Sequence, residues 1–147
     1  MNRLWMFLVV GVVWISGCGG TGSRAEVRAG PGEVVLDIFS GRPNPSWALS
    51  AAETQLLADM IAALPATEPV SLPEPLGYRG FDVRWTGPEL GSPLRVAAFR
   101  GVVVETVGDV IRYRADDGRR VERWLLETAR PHIEGPVYDA VLAELSR

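Results

Sequence analysis

The chain has 147 residues, of which 47% are hydrophobic and 22% charged, and its formal net charge is −3. That length suits one ordinary domain rather than two, and the composition is that of a folded globular protein, which excludes wholesale disorder. All fifteen basic residues are arginine, with one Cys and one His, so lysine Schiff-base chemistry, an intrachain disulfide framework and a zinc site built from several Cys or His ligands are all excluded.

The first element is an export signal. Arg3 precedes residues 4–15, LWMFLVVGVVWI, a run of twelve residues without a polar side chain. As a helix this run is about 18 Å long, short of the ~30 Å hydrocarbon core of a bilayer, but it fits the apolar stretch of a signal peptide. Small residues follow: Ser16, Gly17, Cys18, Gly19 and Gly20. Ile15-Ser16-Gly17-Cys18 resembles the lipobox of bacterial lipoproteins, in which an apolar residue and two small ones precede the modified cysteine. The resemblance implies cleavage before Cys18, a diacylglyceryl thioether on its sulfur and an acylated new amino terminus. It also implies a cell-envelope location: the outer membrane if the host has one, because Gly19 is not the aspartate of inner-membrane retention, and otherwise the exterior face of the cell membrane. Two or three acyl chains give durable anchoring, each buried CH2 contributing ~0.8 kcal/mol. The bare residues agree, since lipidation consumes a thiol that would otherwise be a reactive liability in an oxidising compartment.

Residues 18–32 form the lipidated cysteine and a glycine-rich tether, and residues 33–147 a single domain. Loss of residues 1–17 removes Arg3 alone, leaving 14 basic against 18 acidic residues. A mildly acidic body has no electrostatic reason to bind nucleic acid, and none is expected as a partner. The domain opens with a strand over 33–39. Ser50 and Glu53 have the spacing of a capping box, followed by a helical stripe of Leu56, Leu57, Met60, Ile61 and Leu64 that Pro65 ends. Prolines 65, 69, 73 and 75 mark an extended surface loop. Alternation predicts a strand over 81–85, and three more over 94–99, 102–107 and 110–114 are separated by Arg100-Gly101 and Gly108-Asp109, both suited to tight turns. Val121, Trp124, Leu125 and Thr128 mark a second helix, and Gly135-Pro136 starts a third with Pro at its first position and a stripe of Val137, Val141, Leu142 and Leu145. The expected class is α+β: a mostly antiparallel sheet of about four to five strands with about three helices on one face.

Residues 37–47, DIFSGRPNPSW, stand out. Gly41, Pro43 and Pro45 confine the backbone, so a fixed corner between strand and helix is predicted. It gathers Ser40, Arg42, Asn44 and Trp47, a hydroxyl, a guanidinium, an amide and an aromatic ring, and a rigid loop loses little entropy on binding. These four are the binding candidates, with Arg42 able to grip a carboxylate or phosphate. The alternative gives them structural duty, with Trp47 in the core, Arg42 on Asp37 or a helix C-terminus, and Asn44 capping a turn. The phrase F-S-G-R-P-N-P-x-W resembles a signature of secreted bacterial proteins, extending loosely to Leu76-Gly77-Tyr78-Arg79-Gly80-Phe81 and to Glu122-Arg123-Trp124-Leu125-Leu126. That resemblance implies no established activity.

His132, beside Glu134, is the candidate general base. The Asp109, Asp116 and Asp117 run lacks the carboxylate alternation of a calcium loop, and neither a metal nor a cofactor is expected. Arg119, Arg120 and Arg123 read as a small basic patch on a solvated helix face. The favoured function is a non-catalytic envelope lipoprotein that binds a protein, peptide or glycan through its corner. The rival is a small envelope hydrolase, which needs two or more of Asp37, Arg42, Glu105, His132 and Glu134 in one concave pocket.

Overall fold

A computed structural model describes residues 29–71, 76–86 and 93–147. The signal segment, Cys18 and residues 19–28 of the expected tether lie outside the described residues. The elements in chain order are β1 (Gly32–Asp37), β2 (Ser46–Leu49), α1 (Ala51–Ala62), β3 (Gly80–Thr86), β4 (Pro93–Phe99), β5 (Val102–Val107), β6 (Val110–Ala115), α2 (Arg120–Ala129) and α3 (Gly135–Leu145). The class is α+β. All strand pairs are antiparallel, in the order β2-β1-β3-β4-β5-β6.

Among the described residues the sheet has six strands rather than four to five. The strand that the sequence hid is β2, four residues squeezed between Pro45 and the helix cap at Ser50. So short a run carries no usable alternation, and a proline beside it suits an edge strand, where the missing N–H costs nothing in the ladder.

Strand register shows why helices cover one face. Trp47, Val34, Val83 and Val96 form one row across β2, β1, β3 and β4, and all four are buried. The neighbouring row on the opposite face, Ala48, Glu33, Arg84 and Arg95, is exposed. This alternation is the signature of a half-covered antiparallel sheet. On the open face Asp82 is flanked by Arg84 at 3.4 Å and by Arg95, which donates two hydrogen bonds to it. On the covered face the apolar row gives way at the far side to Glu105, paired with Arg114.

α1 is capped as its sequence predicts: the Ser50 hydroxyl accepts from the Glu53 N–H at 3.2 Å, and the Glu53 carboxylate accepts from the Ser50 N–H at 2.8 Å. It buries Thr54, Leu57 and Ile61, whereas Leu56 of the expected stripe is exposed. α2 buries Val121, Glu122, Leu125, Leu126 and Ala129 beneath β3 and β4. α3 packs on α2 through Tyr138, Val141 and Leu145. Pro136 occupies the second rather than the first helical position, after Glu134 as N-cap and Gly135, and Tyr138 is buried whereas Leu142 of the expected stripe is exposed. The body also begins early. Ala29 is buried and its N–H donates to the Gln55 side chain at 3.1 Å.

After α1 residues 65–67 turn back along β6, while Pro73 and Pro75 of the expected loop lie outside the described residues. The Thr67 N–H donates to the Tyr113 carbonyl and the Ala115 N–H to the Pro65 carbonyl, forming an isolated bridge between Ala66 and Arg114.

Candidate functional site

The corner between β1 and β2 is held by two side chains. Asn44 turns inward: its carbonyl oxygen accepts from the Ile38 and Phe39 N–H groups at 3.1 and 2.8 Å, and its amide donates to Asp37 at 2.8 Å. Arg79, which precedes β3, holds the corner from the other side. Its guanidinium donates to both Asp37 oxygens at 2.9 and 2.5 Å, to the Phe39 carbonyl at 3.0 Å and to the Ser40 hydroxyl at 3.3 Å. The Arg79 fork, the largest influence, and the Asn44 amide hold the Asp37 carboxyl below its ordinary value of 3.8, against a smaller upward push from burial.

Trp47 belongs to the core, with 5% of its surface exposed. Its indole N–H donates to the Thr128 hydroxyl at 3.0 Å, its ring meets Phe81 edge-on, and the His132 ring runs nearly parallel to it at 6.2 Å. Arg42 is exposed. Asp37 is occupied by Arg79, and the Arg42 guanidinium instead lies over the Phe39 ring, 3.4 Å from its centre. Of the four corner candidates, Asn44 and Trp47 therefore shape the loop from within, while Ser40 and Arg42 stand on its surface.

The sequence reading passed over Phe39, Arg79 and the buried pair Tyr78 and Glu122. The Tyr78 hydroxyl donates to Glu122 at 2.5 Å, and the other Glu122 oxygen accepts from the Gly101 N–H at 2.9 Å. Glu122 is 1% exposed. Burial first, and the Glu122 charge second, push the Tyr78 hydroxyl well above its ordinary value of 10.0, so it stays protonated and serves as a fixed donor. These residues fall in three separate stretches of the chain, 37–47, 76–81 and 122–126, that meet in space. Arg79 ties the second segment to the corner and Tyr78 ties it to α2.

The acid–base candidates stay apart. Asp37 ends β1, Glu105 pairs with Arg114 between β5 and β6, His132 lies in the connector after α2, and Glu134 stands at the N-cap position of α3 without a capping bond from its side chain. The Ser50 hydroxyl and N–H hold the Glu53 carboxyl below its usual range, opposed by slight burial. Among the described residues, no hydrogen bond or ion pair joins any two of Asp37, Arg42, Glu105, His132 and Glu134. No group of His, Cys, Asp or Glu among those residues is arranged to hold a metal ion.

A separate cleft of about 620 Å³ opens beside the β4–β5 turn and is lined by Arg100, Arg119, Arg123 and Arg147 together with Val102 and Leu145. Arg119 and Arg123 each donate to a carbonyl at the end of α3, those of Glu144 and Leu145, at 2.8 Å. Arg147 pairs with the Glu144 carboxylate at 2.6 Å. The chain matches no protein-family model, no curated protein and no solved structure.

Proposed function

We propose that the chain is a lipid-anchored cell-envelope protein, acylated on Cys18, whose α+β domain is a non-catalytic module binding an envelope protein, peptide or glycan through residues 39–42. The anchor rests on the sequence of residues 3–18. The recognition reading rests on one observation: a loop pinned by Asn44 and Arg79 that leaves the stacked pair of Arg42 and Phe39 at the surface. A loop already fixed loses little entropy on binding. A guanidinium held over a ring keeps its donor edges available for a carboxylate or a sugar hydroxyl, while the ring offers an apolar plane.

Mass spectrometry of protein purified from membranes should find a mature terminus at Cys18 carrying acyl chains, and Cys18→Ser should leave the membrane fraction. An intact Met1 terminus, or unchanged fractionation of the variant, overturns the anchor. For the corner, Arg42→Ala should abolish recovery of whatever co-purifies with the wild-type chain while the melting temperature stays within a few degrees. Retained recovery would show that the corner is not the binding surface.

A further inference from the structure

We propose that the cleft beside the β4–β5 turn is a binding site for a small molecule bearing a phosphate monoester, distinct from the corner and independent of whether Cys18 is lipidated. Three elements bring arginines to its lining: the β4–β5 turn supplies Arg100, the start of α2 supplies Arg119 and Arg123, and the residues after α3 supply Arg147. From sequence, Arg119 and Arg123 were two members of a solvated patch. The fold adds Arg100 and Arg147 and sets them around a concave space.

Several of these arginines have structural duties. Arg119 and Arg123 satisfy carbonyls at the end of α3, and Arg147 is neutralised by Glu144. Each of the first two bonds uses one of the five donors on its guanidinium. Arg100 differs. Among the described residues its side chain has no hydrogen bond or ion pair, and its one contact of note is a distant one with the Phe99 ring, 5.2 Å to the centre. Asp117 is the acidic side chain in the lining, so the cleft keeps an excess of positive charge.

Backbone conformation gives a second, independent pointer. Arg100 and Arg119 are the two non-glycine residues with positive φ among the described residues, both at 50°, and both line this cleft. Arg100-Gly101 is a two-residue hairpin turn with both φ angles positive, where Asn-Gly is the relaxed choice. A left-handed arginine is strained, and such strain concentrates at functional sites. Here that conformation falls on an arginine without a hydrogen-bonding partner, in the lining of a cleft shared with three others.

The ligand chemistry follows from the arrangement. A planar carboxylate is satisfied by one fork approaching edge-on, whereas guanidiniums arriving from three elements suit the tetrahedral spread of phosphate oxygens. The volume exceeds that of a bare phosphate, and Val102 and Leu145 offer an apolar wall to the organic remainder. A soluble phosphate ester and a phosphorylated lipid headgroup share this chemistry.

The test is calorimetric titration of the full chain in detergent with glycerol 3-phosphate and with dihexanoyl phosphatidic acid, using citrate as the carboxylate control. Saturable binding of either phosphate, tighter than citrate, is expected. Tighter binding of the lipid form assigns a headgroup as the source, and equal or weaker binding assigns a soluble ester. Arg100→Asn should weaken phosphate binding by about tenfold or more, with a melting temperature unchanged or higher because asparagine tolerates the left-handed backbone. Arg84→Gln, on the open sheet face, should leave binding unchanged. The proposal is overturned if neither phosphate saturates, if citrate binds as tightly, if Arg100→Asn keeps wild-type affinity, or if Arg84→Gln loses it equally.

Discussion

Asp37 carries more of the corner than its position at the end of a strand suggests. Its two oxygens take the Arg79 fork and one also takes the Asn44 amide, and these contacts lower its pKa. The unfolded chain therefore binds the proton more readily than the folded one. The contribution of this contact is full above about pH 4 and fades as pH falls through the folded-state value. Asp37→Asn should consequently be less stable than wild type in urea melts at about pH 6, with the gap narrowing steadily as the pH is lowered below about 4. A gap of constant size would mean that the carboxylate charge has no part in fixing the loop. At this scale the sequence was a partial guide. A tryptophan after two prolines reads equally as a binding plane or a core plug, and only the hydrogen bond from its indole to Thr128, 81 residues away, decides for packing. Arg42 and Arg79 look alike in sequence. Which of them reaches Asp37 depends on strand pairing, with Asp37 opposite Gly80, and so could not be read locally.

Between elements, the buried carboxylate of Glu122 is the joint that fixes α2 against the sheet end. It takes the Tyr78 hydroxyl on one oxygen and the Gly101 N–H on the other. Tyr78→Phe leaves one oxygen of a charged group buried without that donor, which should cost about 2 kcal/mol in chemical denaturation. A loss well under half of that would mean that water replaces the phenol. Elements specified by close neighbours were legible beforehand: the capping box needs residues only three apart, and the two-residue turns declare themselves by glycine between β-branched runs. Thr54 was missed because its buried hydroxyl is satisfied within its own helix, by the Ser50 carbonyl at 3.0 Å, and a lone threonine on an apolar stripe looks like surface. Leu142 was taken for core because helical periodicity fixes the width of a stripe better than its direction. Gly80 shows the opposite limit. At φ 102° a side chain there would meet the Ala98 carbonyl oxygen at 2.3 Å, a close approach that only the folded sheet reveals.

For the molecule as a whole, the class followed from the order of strands and helices, and the run β3 to β6 pairs in sequence as successive hairpins should. The insertion of β1 between β2 and β3 was not legible, because the contacts that fix it span 42 residues, from Asp37 to Arg79. The two sides of the sheet end differently. Along β6 the stretch from Pro65 to Thr67 fills backbone positions that would otherwise be open, and at the other side β2 offers only four residues beside a proline. Long, bare strand edges template pairing with other chains. Sideways polymerisation is thereby left little room: a neighbouring sheet could take hold only at the start of β6, where Val110 and Ile111 stay exposed, so that is the place where a charged substitution would best keep crowded copies apart.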